Sequence, residues 1–221
     1  MAGLVPGLLQ MMPGQAPAQT FAPLPNPVVV VGPQFVAPFP VTLIITKKLF
    51  SMREGEFAVT DVNGGLIFTV KGSFLAIADR RLLLDAAGNP LVTLRQKLLT
   101  AHRRWQVFRG DSSDSKDLLF SAKKSSLIQF STKLDVFLAC NNRENVPDFQ
   151  VKGAFRELRC TIYLGNTSTT IAQMHKHHNL QSIVFDKDTY GVTVSPNVDY
   201  AFVVALILVL HEINEDQSGQ D

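Results

Sequence analysis

The sequence predicts a mainly β protein, an antiparallel barrel of about twelve strands that encloses one apolar C-terminal helix. From Val41 onward, short runs rich in β-branched and aromatic residues recur between turn residues, at the spacing typical of a sandwich or barrel. The unbroken apolar run Ala201–Leu210 would cover a helix on every side, and such a helix has to be buried all round. A barrel wider than eight strands can hold a helix along its axis, which reconciles the two observations.

The strands are predicted from the turns that separate them. Asn63-Gly64-Gly65 lies between two apolar runs, and Asn-Gly is a strong hairpin signal because both residues tolerate a positive φ. The turn at 86–90 separates a second pair of runs in the same way. The predicted strands are 41–46, 57–62, 66–70, 80–85, 91–97, 105–108, 118–123, 127–132, 134–139, 149–151, 158–164, 169–174 and 192–194.

The helix is predicted from Val198 to Ile213, a segment without turn residues or alternation. Asn197 or Asp199 can cap its start, and Asp199 suits the positive end of the helix dipole. A strand is the alternative, because short apolar runs are ambiguous, but the length favours a helix. The residues predicted to form the structural centre of the barrel are Phe202, Val203, Leu206, Ile207 and Leu210.

The ends of the chain differ from its middle. Residues 1–40 hold nine of the 12 prolines and no charged side chain, which predicts an extended arm whose apolar second half lies across a groove of the core. Residues 41–198 hold all 21 Lys and Arg but 14 of the 19 acids, a difference of +7, and five acids follow, which gives the net +2. The predicted domains are therefore an arm (1–40), a barrel (41–213) and an acidic tail (214–221).

Composition also indicates the compartment. Two cysteines, Cys140 and Cys160, are too few for a disulfide framework, and nothing at the N-terminus resembles a secretory signal. The ten-residue apolar run is half the length of about twenty residues that a membrane-spanning helix needs. We expect an intracellular, cytoplasmic protein without a transmembrane segment, either soluble or peripheral at a membrane.

No catalytic motif is present: the sequence has no nucleophile elbow, phosphate-binding loop, dinucleotide fingerprint or zinc-protease helix. Both cysteines lie in apolar strand-like contexts, where thiols are usually inert. Trp105 alternates within a strand and is expected in the core rather than as a base-stacking platform, so nucleic acid is not an expected partner. We expect no enzyme activity and no cofactor.

Cations are dense in one stretch of the chain. Between residues 80 and 109 they are interrupted by one acid, Asp85, and Lys123-Lys124 could extend the set. If neighbouring strands bring them onto one face, they form a patch that binds phosphates. A solvated barrel surface with scattered ion pairs is the interpretation we favour. The candidate anionic-lipid patch is Arg80, Arg81, Arg95, Lys97, Arg103, Arg104 and Arg109.

Several phrases resemble the plant LURP-one-related family: His-Arg-Arg-Trp-Gln-Val-Phe at 102–108, Phe-Gln-Val-Lys-Gly at 149–153, Cys-Thr-Ile-Tyr at 160–163, Ile-Ala-Gln-Met at 171–174 and Pro-Asn-Val-Asp-Tyr-Ala-Phe at 196–202. The resemblance spans roughly residues 28–213. It implies a twelve-stranded barrel around a central hydrophobic helix, a fold shared with the tubby C-terminal domain and the phospholipid scramblases. The family takes its name from a defence-related member.

Two segments contain side chains of the types that bind metal ions. By analogy with a loop proposed to bind calcium in scramblases, Asp186, Asp188 and Gly191 fit positions 1, 3 and 6 of a calcium loop, but Tyr190 and Asn197 replace the acids at 5 and 12, so we favour an ordinary turn. In the segment 175–178, His175 and His177 would share a face of a strand. No carboxylate or Cys nearby completes that site, and an exposed polar loop is favoured.

Three functions remain open, of which the first and third come from the resemblance and the second from the Pro-rich arm. The first is a non-enzymatic regulatory or scaffold domain that is tethered to a membrane through anionic or phosphoinositide headgroups, as tubby-like domains are. The second is a protein-interaction module in which residues 1–40 act as a peptide ligand or cover a groove. The third is scramblase-like lipid handling by insertion of the C-terminal helix, which the short apolar run and the incomplete acidic loop disfavour. Fold alone does not choose between them.

Overall fold

The structure, a computed structural model, describes residues 21–47, 57–72, 80–97, 104–125, 132–176 and 189–218. Twelve antiparallel strands follow one another round a closed barrel, and the first pairs with the last. This confirms the predicted fold class. The strands are β1 (Val41–Lys47), β2 (Phe57–Thr60), β3 (Leu66–Gly72), β4 (Arg80–Asp85), β5 (Pro90–Lys97), β6 (Arg104–Arg109), β7 (Leu118–Lys124), β8 (Thr132–Leu138), β9 (Phe149–Ala154), β10 (Arg159–Leu164), β11 (Thr170–Lys176) and β12 (Thr189–Val194).

The predicted strands match these elements closely, with one difference. Two strands were predicted at 127–132 and 134–139, whereas the described residues there form one strand, β8. Residues 126–131, which carry nearly all of the first of the two, lie outside the described residues.

The two hairpins predicted from Gly-containing turns are held by aspartates that precede the turns. The Asp61 carboxylate accepts hydrogen bonds from the N–H groups of Asn63, at 2.8 Å, and Gly65, at 2.7 Å. Gly64 has a φ of +83°, a conformation that glycine adopts without steric cost. Asp85 binds the Asn89 N–H in the same way, at 2.8 Å. These local bonds help to set the register of each hairpin, that is, which residues of its two strands lie opposite each other.

The core is organised around helix α1, Tyr200–Ser218, on the barrel axis. Every residue of Ala201–Leu210 is at most 1% exposed, which confirms the predicted buried helix. The Phe202 ring lies between two wall aromatics, 5.1 Å from the Phe120 centroid and 4.8 Å from that of Phe149. Trp105 is also fully buried, as predicted. The interior is therefore filled by side chains of the wall and the helix.

The helix begins and ends later than predicted. It starts at Tyr200 rather than Val198 and continues through Ser218 rather than stopping at Ile213. Its last turn therefore includes part of the segment expected to be an acidic tail. The sequence has no Pro or Gly between Ile213 and Ser218, so nothing local breaks the helix before Gly219.

The arm closes the end of the barrel at which helix α1 begins. Leu24, Val31 and Phe35 are buried in the same core as the strands and the helix. The Phe35 ring packs edge-on against Tyr200, with centroids 5.6 Å apart. Val29 points away from this end and is exposed. The described half of the arm thus covers apolar core, as the sequence suggested, and residues 1–20 lie outside the described residues.

Polar contacts hold the arm in place. The buried Asp199 carboxylate accepts hydrogen bonds through Oδ2 from the N–H groups of Val30, Val31 and Gly32, at 3.1, 2.7 and 3.0 Å. Its Oδ1 accepts from Phe202 N–H, at 3.0 Å, and so caps helix α1. Of the two cap candidates, Asp199 is the one that caps. Neighbouring Asn197 instead donates its side-chain amide to the Leu24 carbonyl, at 3.0 Å.

Candidate functional site

The outer face of strands β4 to β7 carries a concentration of cations. Side chains alternate between the two faces of a strand, and on β5 the buried Val92 and Leu94 face the helix while Arg95 points outward. The barrel register places Arg80 opposite Arg95 and Lys97 opposite Arg104. On β7, Lys123 follows the inward-facing Ala122 and also points outward. We name this surface the basic wall; it consists of Arg80, Arg95, Lys97, Arg104 and Lys123.

Four of the seven predicted patch residues therefore lie together, and two of the others, Arg81 and Arg109, have different surroundings. Arg81 faces the barrel interior, where its Nε donates to Glu212 Oε1 of helix α1 at 2.9 Å. This corrects the grouping of Arg80 with Arg81: consecutive strand residues point to opposite faces. Arg109 donates to the Val31 carbonyl at 2.6 Å and so holds the arm. Arg103 lies outside the described residues.

The β6–β7 edge of the basic wall is a half-buried ion cluster. Arg104 donates hydrogen bonds to both oxygens of the Glu144 carboxylate, from Nη1 to Oε1 at 2.5 Å and from Nη2 to Oε2 at 2.6 Å. Lys123 Nζ donates to the same Oε2 at 3.2 Å. The Arg104 hydrogen bonds, helped by Lys123, lower the pKa of Glu144 to about 2 against the opposing effect of burial. The same bonds raise the pKa of Arg104.

Glu144 reaches this cluster from the loop between β8 and β9. Its backbone is left-handed, with a φ of +48°, and its N–H donates to Asn141 Oδ1 at 3.1 Å. Asn141 is itself held through its side-chain amide, which donates to Asp148 Oδ2 at 2.9 Å. Sequence reasoning missed Glu144, because it lies 40 residues from Arg104 and in a different hairpin. The only local hint was the run of turn-forming residues around it.

An aromatic ring lies beneath the cluster. Phe137 points outward on β8 yet is buried, and the Lys123 ammonium lies 4.6 Å from the centre of its ring. Such a cation–π contact fixes the direction of the lysine side chain. Towards the other edge of the wall, Arg80 pairs with Asp111 of the turn between β6 and β7. Arg95 and Lys97, in the middle, are exposed.

Of the histidines considered as metal ligands, His175 lies within the described residues. His175 lies in strand β11, one residue before its end, rather than in a loop, which corrects the favoured interpretation, and its Nε2 is 3.1 Å from Thr193 Oγ1. His177, His178, Asp186 and Asp188 lie outside the described residues. Within the described ranges, no three His, Cys, Asp or Glu side chains are grouped so as to hold a metal ion.

The two cysteines differ from each other. Cys160 is buried on strand β10, and burial raises the pKa of its thiol to about 12, so the thiol is protonated and unreactive at neutral pH. Cys140 lies in the turn after β8 and is exposed, not in an apolar strand as expected. The expectation failed for Cys140 because β8 ends at Leu138. The apolar residues that follow Leu138 in the sequence belong to the turn.

The architecture defines a class: closed twelve-stranded antiparallel barrels built round a buried C-terminal helix, here with a basic outer wall. In the part of the chain that the structure describes, no helix has both the length and the apolar character needed to cross a membrane. The model of the LURP-one-related family matches residues 41–211, and the chain belongs to that family.

Individual relatives agree with this assignment. The Arabidopsis thaliana protein LURP-one-related 15 is 48% identical over 188 residues, covering 85% of this chain and 87% of its own length. LURP-one-related 10 of the same plant is 47% identical over 190 residues, covering 86% of this chain and 98% of its own. A crystal structure of an Arabidopsis thaliana protein, 41% identical, superposes with a TM-score of 0.67 over 84% of this chain and 98% of that one.

Proposed function

We propose that this protein is a non-enzymatic regulatory or scaffold domain of the cytoplasm that attaches to membranes through anionic headgroups, phosphoinositides in particular. The basic wall is the contact surface. The observation that carries the proposal is the pair of exposed, outward-facing cations on β5, Arg95 and Lys97, which lie between Arg80 on β4 and Arg104 on β6.

The charges of the wall support attraction rather than neutrality. The wall brings five cations together, and ion pairs join Arg80 to Asp111 and both Arg104 and Lys123 to Glu144. Like charges opposite each other in a sheet are unfavourable, and an anionic partner relieves that repulsion. A Lys or Arg near an anionic leaflet contributes about 1 kcal/mol, so two exposed cations predict weak, salt-sensitive attachment.

The test is co-sedimentation of the protein with vesicles of neutral lipid, with and without a few per cent phosphatidylinositol bisphosphate, at low and moderate salt. We expect binding only to the anionic vesicles, weakening with salt. The double variant Arg95→Glu/Lys97→Glu should lose most of it. The matched control, Lys152→Glu/Arg159→Glu, makes the same charge change on the outer face of β9 and β10, away from the wall, and should bind like the unmodified protein.

Equal loss in both double variants would mean that total charge, not the wall, governs binding. Absence of binding at every salt concentration would overturn the proposal and favour a protein-interaction module. In that case a partner search with the full chain and with a chain lacking residues 1–20 is the next step. The defence-related role implied by the family resemblance is part of this proposal, and loss of the gene should then alter the response of the plant to infection.

A further inference from the structure

We propose that Arg104 and Lys123 form a phosphomonoester-binding site, and that the Glu144 carboxylate occupies this site as a built-in competitor. The ligand class is a phosphate monoester, whether on a lipid headgroup or on a soluble inositol phosphate. If the phosphate monoester belongs to a lipid headgroup, this inference rests on the proposed function and describes how the membrane attachment is regulated.

The contacts match those that proteins make with phosphate. Arg104 presents two parallel N–H groups to two oxygens of Glu144, and Lys123 adds a point charge on one of them. Arginine forks bind carboxylates and phosphates with the same bidentate geometry. The guanidinium is held in position from the sheet side, since Nη1 also lies 3.3 Å from the hydroxyl of Ser121 on β7.

The charges favour a dianion over the resident carboxylate. Within this cluster two cations, Arg104 and Lys123, contact one carboxylate. A phosphomonoester carries about two negative charges at pH 7 and three acceptor oxygens, against one charge and two oxygens for Glu144. The low pKa keeps Glu144 ionised throughout the physiological range, so any pH dependence of the competition comes from the phosphate, whose second ionisation lies at about pH 6.

The resident carboxylate can leave without disturbing the barrel. The two cations belong to strands β6 and β7, whereas Glu144 belongs to a loop. The side chains of Arg104, Lys123 and Glu144 are 24%, 28% and 25% exposed, so an anion reaches the cluster from solvent.

The test uses Glu144→Gln, which keeps the shape and removes the charge, and Asp111→Asn as the matched control. Asp111 is another carboxylate paired with the wall, through Arg80, so the change in net charge is the same. Binding of soluble inositol trisphosphate is measured by calorimetry at fixed salt. We expect an affinity gain of about tenfold or more for Glu144→Gln, a smaller gain for Asp111→Asn, and no gain for Arg104→Gln/Glu144→Gln.

Equal gains in the two single variants, or a gain that persists without Arg104, would overturn the site. If Glu144→Gln folds poorly, the unmodified protein answers the same question: titration with inositol trisphosphate should shift the carboxyl carbon resonance of Glu144, and an unmoved resonance at saturation would overturn the competition. Vesicles distinguish the sources. A gain for the soluble probe without vesicle binding supports a soluble ligand and rejects membrane attachment. Vesicle binding that depends on Arg95 and Lys97 but is unaffected by Glu144→Gln rejects the competition alone.

Discussion

The Asp199 carboxylate accepts a 2.7 Å hydrogen bond from the backbone N–H of Val31, 168 residues earlier in the chain. The same carboxylate caps helix α1 through Phe202. One buried side chain therefore joins the first described segment of the protein to its last element. Replacing it disturbs the helix start and the barrel cover together, because Oδ1 of the carboxylate holds the first and Oδ2 holds the second.

We expect Asp199→Ala to lower the free energy of unfolding by about 3 kcal/mol or more. Loss of a helix cap costs roughly 1 kcal/mol, and buried N–H groups left without an acceptor cost about 1–3 kcal/mol more. Denaturant titration measures the difference. Asp61→Ala is the control, since its carboxylate also accepts two N–H bonds but in an exposed turn, and it should cost about 1 kcal/mol or less. Equal costs for the two variants would contradict the role of Asp199 as a joint anchor.

The Glu144 cluster makes stability depend on pH in the acid range. The pKa of Glu144 is lowered from 4.5 to about 2 in the folded protein, so its ionised form favours folding. The stabilisation is fully present above pH 4.5 and is lost as the pH falls towards 2. After allowance for solvent screening, we expect about 1–2 kcal/mol. Unfolding titrations between pH 2 and 6 should show a smaller loss of stability in Glu144→Gln than in the unmodified protein. Parallel curves would show that the ion cluster contributes nothing.

An unpaired charge on the barrel axis should be incompatible with folding. Ile207 is 1% exposed in the middle of helix α1. Ile207→Asp would bury a carboxylate without a partner, at a cost of several kcal/mol that is comparable with the whole stability of a domain. The expected result is insoluble or unfolded protein by circular dichroism. Val62→Asp is the control, because Val62 lies exposed in a hairpin turn and its variant should fold normally. A soluble Ile207→Asp protein that unfolds cooperatively would refute the central-helix architecture.

The elements of this fold are determined by local sequence. Runs of β-branched and aromatic residues between turns predict nearly all of the strands, the Gly-containing turns predict two hairpins, and the apolar run Ala201–Leu210 predicts a buried helix that a wide barrel can hold. The burial of Trp105 follows from the alternation within its strand. Alternation also separates Arg80 from Arg81, although counting basic residues along the chain placed them in one patch.

Only the tertiary structure decided which distant groups meet. Glu144 reaches Arg104 because the loop after β8 folds over the outside of the barrel, and Asp199 meets Val31 because the arm crosses the end of the barrel. No periodicity encodes such pairs, since hydrogen bonds and ion pairs depend on angstrom-scale distances between segments far apart in sequence. By itself, the sequence determined the barrel and its central helix. The basic wall, its internal carboxylate and the anchor of the arm depended on the register and closure of the sheet, which bring residues from different hairpins to one place.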